Sequence, residues 1–202
     1  MSLLARLDAL ARAVAHAGAM IGGLLLLLSA LVIGVDVFLR YAFVVSVGGS
    51  DELSGYALGI AGAWGFSYAL LSRSHIRIDT FYTLCPRPLR ILLDLAGLAA
   101  FAVFMFHVSW RGWGVLSQSV TSDAHSISAL EAPLAIPQAA WVAGLFYFLL
   151  VAALLMTRSL AALWRREPEE LVRLIGPKAA VEEAQEELAG GTQAAERGRP
   201  PA

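Results

Sequence analysis

The stretch AGAMIGGLLLLLSALVIGVDVFL, residues 17–39, decides the fold class of this protein. Its one charged residue, Asp36, lies near its end, and at 1.5 Å of helical rise per residue it can cross a hydrocarbon core about 30 Å thick. Three further apolar stretches of similar length follow at residues 53–71, 89–110 and 134–156. The sequence therefore predicts an all-α membrane protein with four transmembrane helices.

The composition of the whole chain agrees with this class. The protein has 202 residues, of which 58% are hydrophobic, and its mean hydropathy is +0.67. These values exclude an ordinary soluble domain. Cys85 is the single cysteine, so an internal disulfide and a cysteine metal cluster are both excluded. The first apolar stretch is longer than the core of a signal peptide, which predicts a retained span.

The distribution of basic residues predicts the topology. When the chain is threaded through four spans, all of its 15 lysine and arginine residues except Arg40 and Arg111 fall on one side. Cytoplasmic loops carry the excess of such residues. The sequence therefore predicts that both termini are cytoplasmic, and that the 40–52 and 111–133 loops lie outside.

Two segments flank the predicted spans. Residues 1–16 are predicted to form an amphipathic helix at the cytoplasmic interface, because their leucines share one helical face. Residues 158–202 predict a polar cytoplasmic tail that is partly disordered. Within this tail, residues 167–175 and 181–188 have a helix-forming composition with little apolar surface.

The middles of the spans carry no charge. Their centres lie near Leu28, Gly62, Ala100 and Leu145, and His107 is at the margin of the third span. Transporters coupled to protons or sodium usually place a carboxylate or a broken helix near the middle of the bilayer. The chain is therefore a poor candidate for carrying a substrate pathway alone.

No enzyme or cofactor site is predicted from motifs. The sequence contains no HExxH, GxSxG, P-loop or zinc-binding spacing. A membrane redox subunit of cytochrome b type is one alternative, but a bis-histidine haem requires two histidines at one depth on facing helices. His107 is predicted near the outer end of the third span and His125 in the outer loop, while His16 and His75 are predicted at or beyond the inner ends of the spans. A second alternative is a small self-sufficient channel or antiporter that works as an oligomer, which the uncharged span centres disfavour.

Glycines give the second span a surface for close helix packing. Gly55 and Gly59 lie four residues apart and continue to Ala63 on one stripe. Small residues at this spacing let a neighbouring helix approach closely. Packing inside the bundle is the favoured interpretation, and a surface that faces a partner is the alternative.

Four short motifs carry a resemblance to a known family. They are Arg40-Tyr41 at the end of the first span, Asp51-Glu52-Leu53 at the start of the second, His75-Ile76-Arg77-Ile78-Asp79 after it, and Pro133-Leu134-Ala135-Ile136-Pro137 before the fourth. In this order and spacing they resemble the small membrane subunit, Q-type or DctQ-like, of tripartite ATP-independent periplasmic (TRAP) transporters. The resemblance covers about residues 1–160.

This resemblance implies a three-part importer in a bacterial inner membrane. A periplasmic binding protein would deliver a small solute, often a carboxylate, to the membrane complex. A large M-type subunit would move the solute with energy from a sodium gradient. The small subunit would be a non-catalytic scaffold for the large subunit in the lipid bilayer, with no role for nucleic acid. The uncharged span centres agree with such a static role.

Eight residues are candidates for assembly contacts. Arg40 is expected to pair with Asp36 or Glu52, or to reach the lipid headgroups. The 75–79 motif is expected to dock the cytoplasmic turn on the bundle or on the large subunit, the alternative being an ordinary basic loop. Asp51, Glu52 and the 111–133 loop would form the surface open to a periplasmic partner. The full candidate set is Arg40, Tyr41, Asp51, Glu52, His75, Arg77, Asp79 and Pro137.

Overall fold

The computed structural model describes residues 3–46, 48–74 and 85–176. This part of the chain folds into helices, joined by turns and one isolated β-bridge between His125 and Pro133. The helices are α1 (Leu3–Phe43), α2 (Ser50–Leu71), α3 (Arg87–Thr121), α4 (Ala135–Trp164) and α5 (Pro168–Ile175). The predicted all-helical class is confirmed for the described residues.

Three of these helices, α1, α3 and α4, are long and apolar enough to cross a membrane. At 22 residues, α2 is also long enough for the hydrocarbon core. Its glycine, serine, tyrosine and tryptophan residues make it less apolar than the other three. A membrane protein with several spans is therefore supported, while the fourth span and the orientation of the termini remain predictions.

The helices run further than the predicted spans. Helix α1 continues without a break through residues 3–16, so this segment extends the first span along its own axis and is not a separate helix. No proline or turn separates the two parts, and alanine and leucine favour helix throughout. Similarly, α3 includes residues 111–121 of the predicted outer loop, and α4 continues to Trp164.

The helices follow the spatial order α1, α2, α4, α3. Helix α1 packs mainly on α2, α2 also packs on α4, and α4 packs on α3. Helix α5 folds back against α4 and α3. The bundle of α1 to α4 has two ends. At the end called here the outer end, which is predicted to be periplasmic, α1 and α3 end and α2 and α4 begin. At the inner end, α1 and α3 begin and α2 and α4 end.

An aromatic cluster joins α2, α3 and α4. The ring of Phe148 is fully buried, with its centroid 4.9 Å from that of Phe101 and 6.4 Å from that of Phe66. Edge-to-face arrangements of this kind are favoured by the ring quadrupoles. The three helices are thereby fixed at one level of the bundle.

Trp64 on α2 fills the space that two neighbouring glycines leave open. A Cβ on Gly18 of α1 would lie 2.5 Å from the Trp64 ring, and one on Gly144 of α4 would lie 2.8 Å from it. The indole N–H donates to the carbonyl of Ala140, at 3.0 Å. Trp64 therefore packs against the helices on both sides of α2.

The predicted glycine stripe of α2 has a smaller role in this packing. A Cβ on Gly55 would meet nothing within 4 Å, and one on Gly59 would make ordinary contact with Trp141 at 3.8 Å. A close backbone approach occurs instead between Gly22 of α1 and Ala61 of α2, where a Cβ on Gly22 would lie 2.8 Å from the Ala61 Cα. Close approach thus depends more on glycines of α1 and α4 than on those of α2.

Candidate assembly sites

The turn between α1 and α2 is organised by a buried carboxylate. Asp36 lies one turn before Arg40 on α1 and is 2% exposed. Its oxygens accept hydrogen bonds from the hydroxyls of Ser46, at 2.8 Å, and Ser50, at 3.2 Å. Arg40 donates to the same carboxylate. Because a buried charge is costly unless it is paired and hydrogen-bonded, these bonds stabilise this conformation of the turn.

Arg40 therefore pairs with Asp36, which was one of the two partners expected for it. The four-residue spacing places both side chains on the same face of α1. Arg40 itself is 60% exposed, so part of its guanidinium remains accessible at the outer end.

Glu52, the other expected partner, binds a different part of the chain. Its carboxylate accepts hydrogen bonds from Tyr56 on α2 and from Ser128 in the connection between α3 and α4. That connection is a hairpin, called here the outer hairpin (residues 122–134). It is closed by backbone bonds from Ser126 N–H to Ala132 and from Leu134 N–H to Ala124.

The outer hairpin also packs on two glycines. Gly48 and Gly49 both have positive φ, 72° and 80°, a conformation that glycine adopts without steric cost. A side chain on Gly49 would collide with Leu130, and one on Gly48 would crowd Ala129. The two outer connections thus form one packed unit around Glu52.

The hydrogen bonds to Glu52 have an electrostatic consequence. The bond from Ser128, and then the bond from Tyr56, lower the pKa of Glu52 below its ordinary value of 4.5. Both donors stabilise the ionised carboxylate. The docked hairpin therefore favours the charged form of Glu52.

The other candidates at the outer end make fewer contacts. Tyr41 is 89% exposed, Asp51 is exposed, and Pro137 is half-buried in the first turn of α4. Tyr41 and Asp51 are accessible to a partner. The candidates His75, Arg77 and Asp79 lie outside the described residues.

A second polar network, at the inner end, was not identified from the sequence. Arg158 of α4 donates to Asp8 of α1 at 2.8 Å and lies 3.8 Å from Glu170 of α5. Arg12 bonds Asp8 at 3.1 Å and the last carbonyl of α2, that of Leu71, at 3.3 Å. This inner network links α1, α2, α4 and α5. The four-residue spacing of Asp8 and Arg12 is the one local signal; the contacts between helices have none, because their members are up to 162 positions apart (8 to 170).

The described residues do not bring potential metal ligands together in a group. Among them, no group of three histidine, cysteine, aspartate or glutamate side chains could hold a metal ion. His16 lies on α1 and His107 on α3, the two flanking helices of the bundle. His107 is exposed, and its Nδ1 lies 2.9 Å from the Val103 carbonyl.

The fold and its two polar ends define a helical, multi-pass membrane protein. The chain belongs to the DctQ component family of the tripartite ATP-independent periplasmic transporters, whose family model matches residues 29–166. The resemblance found in the short motifs is thus confirmed. No curated protein and no solved structure matches the chain.

Proposed function

We propose that this chain is the small permease subunit of a TRAP transporter and acts as a non-catalytic scaffold for the large M-type membrane subunit. The complex would import a small solute, most simply a carboxylate, with energy from a sodium gradient. A periplasmic binding protein would deliver the solute at the outer end. The family membership supports the assignment as a transporter component.

One observation carries the scaffold role. Aspartate, glutamate, lysine and arginine are absent from residues 13–35, 53–72, 95–110 and 132–157. The ion pairs of Asp36 and of Asp8 lie near the two ends. Ion-coupled pathways generally place ionisable groups near the middle of the membrane. The chain instead has an apolar middle and polar bonds that fix its ends.

The test is purification in mild detergent followed by reconstitution. We expect the tagged chain to co-purify with a large polytopic membrane protein. Solute uptake in liposomes should require that protein, the binding protein and a sodium gradient together with this chain. Uptake by this chain alone would contradict the scaffold role and would favour a self-sufficient channel.

Arg40→Ala tests the role of an outer candidate residue in assembly. We expect a reduced yield of the large subunit, because Arg40 is partly exposed beside the α1–α2 turn. Arg111→Ala is the control, since Arg111 is the other basic residue predicted at this end. An unchanged yield and unchanged uptake would remove Arg40 from the assembly surface.

A further inference from the structure

The outer end of α1 and the turn after it carry a run of exposed apolar side chains, called here the outer tip (residues 41–45). Tyr41 and Val44 are each 89% exposed, Phe43 is 65% exposed and Val45 is 58% exposed. Single apolar side chains are ordinary on a protein surface, whereas a contiguous group of them indicates a binding surface.

The outer tip is not needed to cross the membrane. Residues 13–35 of α1 contain no aspartate, glutamate, lysine or arginine and extend about 34 Å, which already exceeds a hydrocarbon core of about 30 Å. Helix α1 then continues seven residues past the buried Asp36, to Phe43, or about 10 Å. The headgroup layer on each side of the core is only about 5–8 Å thick. The outer tip therefore extends into water beyond the bilayer.

The outer hairpin also lies beyond the bilayer. A Cβ on Gly112 of α3 would lie 3.1 Å from the ring of Trp141 of α4, and Trp113 is exposed beside this contact. Tryptophans concentrate at the membrane–water interface, so this level is the outer boundary on the α3–α4 side. Helix α3 continues to Thr121, about 13 Å further out. The hairpin that follows presents Ile127, whose side chain is fully exposed.

The charge of the outer end is negative. Residues 36–52 and 111–134 contain five acidic and two basic residues, a net charge of −3 with histidine neutral. Three exposed carboxylates have no side-chain hydrogen bond or ion pair within the described part of the chain: Asp51, Asp123 and Glu131. An anionic leaflet repels such a surface, whereas a protein that carries basic side chains is attracted to it.

We propose that the outer tip and the outer hairpin form a docking surface for a soluble protein whose contact face combines an apolar patch with lysine or arginine side chains around it. Under the proposed function, on which this inference rests, that protein is the periplasmic binding protein. The exposed apolar side chains supply the centre of the contact and the three carboxylates supply a polar rim, which is the usual arrangement of a protein interface.

The backbone of Val44 supports a contact through its side chain. Its φ is 56°, a conformation that glycine adopts without steric cost and that a β-branched residue rarely adopts. Glycine would suit the turn better, so the exposed valine side chain is better explained by a contact outside the chain.

Affinity of the binding protein for the assembled complex tests the outer tip. The probe is the purified binding protein that supports uptake in the reconstitution described above, and the complex is held in nanodiscs of phosphatidylcholine. Tyr41→Ser together with Val44→Ser should weaken binding on the order of tenfold. Trp164→Ser is the matched control, because Trp164 is 90% exposed at the inner end, across the membrane from the outer tip. It should leave the affinity unchanged.

The carboxylates are tested by salt dependence. Asp51→Asn, Asp123→Asn and Glu131→Gln together should lower the association rate severalfold at low salt and flatten its dependence on ionic strength. A salt dependence equal to that of the unaltered complex would contradict the charge complementarity on which the proposal rests.

Val44→Gly keeps the test independent of folding. Glycine at this φ should not lower the unfolding temperature, whereas loss of the side chain should weaken binding of the binding protein. Unchanged affinity in the Tyr41 and Val44 double variant would overturn the proposal. Loss of the large subunit from that variant would overturn it as well, since the outer tip would then be a contact within the membrane complex. Failure of the proposed function is distinct, because the unaltered proteins would then show no uptake together.

Discussion

At the scale of single residues, Asp36 and Glu52 show how two carboxylates near one end of a membrane bundle take different structural roles. Asp36 is buried and bonded within the α1–α2 turn. Glu52 reaches across to the outer hairpin. Each accepts two or more hydrogen bonds, so removing either carboxylate leaves hydroxyl donors without their partner.

Replacing Asp36 with alanine is expected to destabilise the protein by about 1–3 kcal/mol, since the buried hydroxyl of Ser50 loses its acceptor and Arg40 loses its ionic partner. Asp51→Ala is the matched control, because Asp51 is exposed at the same end. Thermal unfolding in detergent would measure both variants. Equal unfolding temperatures for the two would show that the Asp36 network contributes little to stability.

The Glu52 contact predicts a pH dependence of the outer hairpin. The pKa of Glu52 is lower in the folded protein than in the unfolded chain. Its stabilising contribution is therefore fully present above the unfolded pKa and is lost as the pH falls through the folded pKa. We expect amide hydrogen exchange of residues 122–134, corrected for the intrinsic pH effect, to become less protected in acid than at neutral pH.

Glu52→Gln is the control for this titration. The amide accepts hydrogen bonds but does not ionise in this range, so protection of the hairpin should be lower at neutral pH and should no longer change in acid. If the unaltered protein and the variant showed the same pH profile, Glu52 would not be the titrating group.

These two carboxylates also show what the sequence could predict about the candidate sites. The Arg40–Asp36 pair follows from a four-residue spacing on one helix. The Glu52–Ser128 bond joins residues 76 positions apart. No local pattern distinguishes Ser128 from the other serines of that loop. Only the packing of the two outer connections determines this partner.

At the scale of helices, the sequence located the apolar segments but not the ends of the helices. Lipid exposure ends where polar residues begin, whereas a helix continues until its backbone is interrupted. Helix α3 passes Trp110, the predicted boundary, and ends only near Ser122 and Asp123, where φ becomes positive. The sequence does not show where the turn after α3 lies, because its position depends on the packing of the outer hairpin.

Helix packing around Trp64 gives a prediction with an internal control. Gly144→Ala should destabilise the bundle by about 1–3 kcal/mol, because its Cβ would lie 2.8 Å from the indole and 3.0 Å from the Ala63 Cβ. Gly62→Ala should be tolerated or slightly stabilising, since a Cβ there meets nothing within 4 Å and alanine favours helix. Unfolding temperatures in detergent would compare the two variants. Equal destabilisation would contradict the close packing of Trp64 against Gly144.

At the scale of the whole molecule, the bundle consists of two helical pairs, α1–α2 and α3–α4. They are joined by the α2–α4 contact through Trp64, by the outer hairpin at Glu52 and by the inner network at Arg158.

The tail segment 167–175 was predicted to have little apolar surface, yet Leu171, Leu174 and Ile175 are buried. Its few apolar residues share one face, which is sufficient to cover the inner ends of α3 and α4.

The inner network provides the prediction for the molecule as a whole. Arg158→Gln should destabilise the protein by about 1–3 kcal/mol, because Asp8 and Arg158 are only 21% and 23% exposed and the variant leaves Asp8 with a weaker set of partners. Asp8→Asn should have a smaller effect in the Arg158→Gln background than alone, with a coupling energy of at least about 0.5 kcal/mol. Arg6→Gln is the control, since Arg6 is exposed on the same end of α1. Additive effects of the two substitutions would show that the Asp8–Arg158 ion pair does not help to hold α1 to α4. The two helices would then be held by the packing of Gly18 and Gly144 against Trp64 and by the bond that the hydroxyl of Tyr147, on α4, donates to the Ala11 carbonyl of α1 at 2.6 Å. The rigidity of the proposed scaffold would in that case depend on helix packing more than on the inner ion pairs.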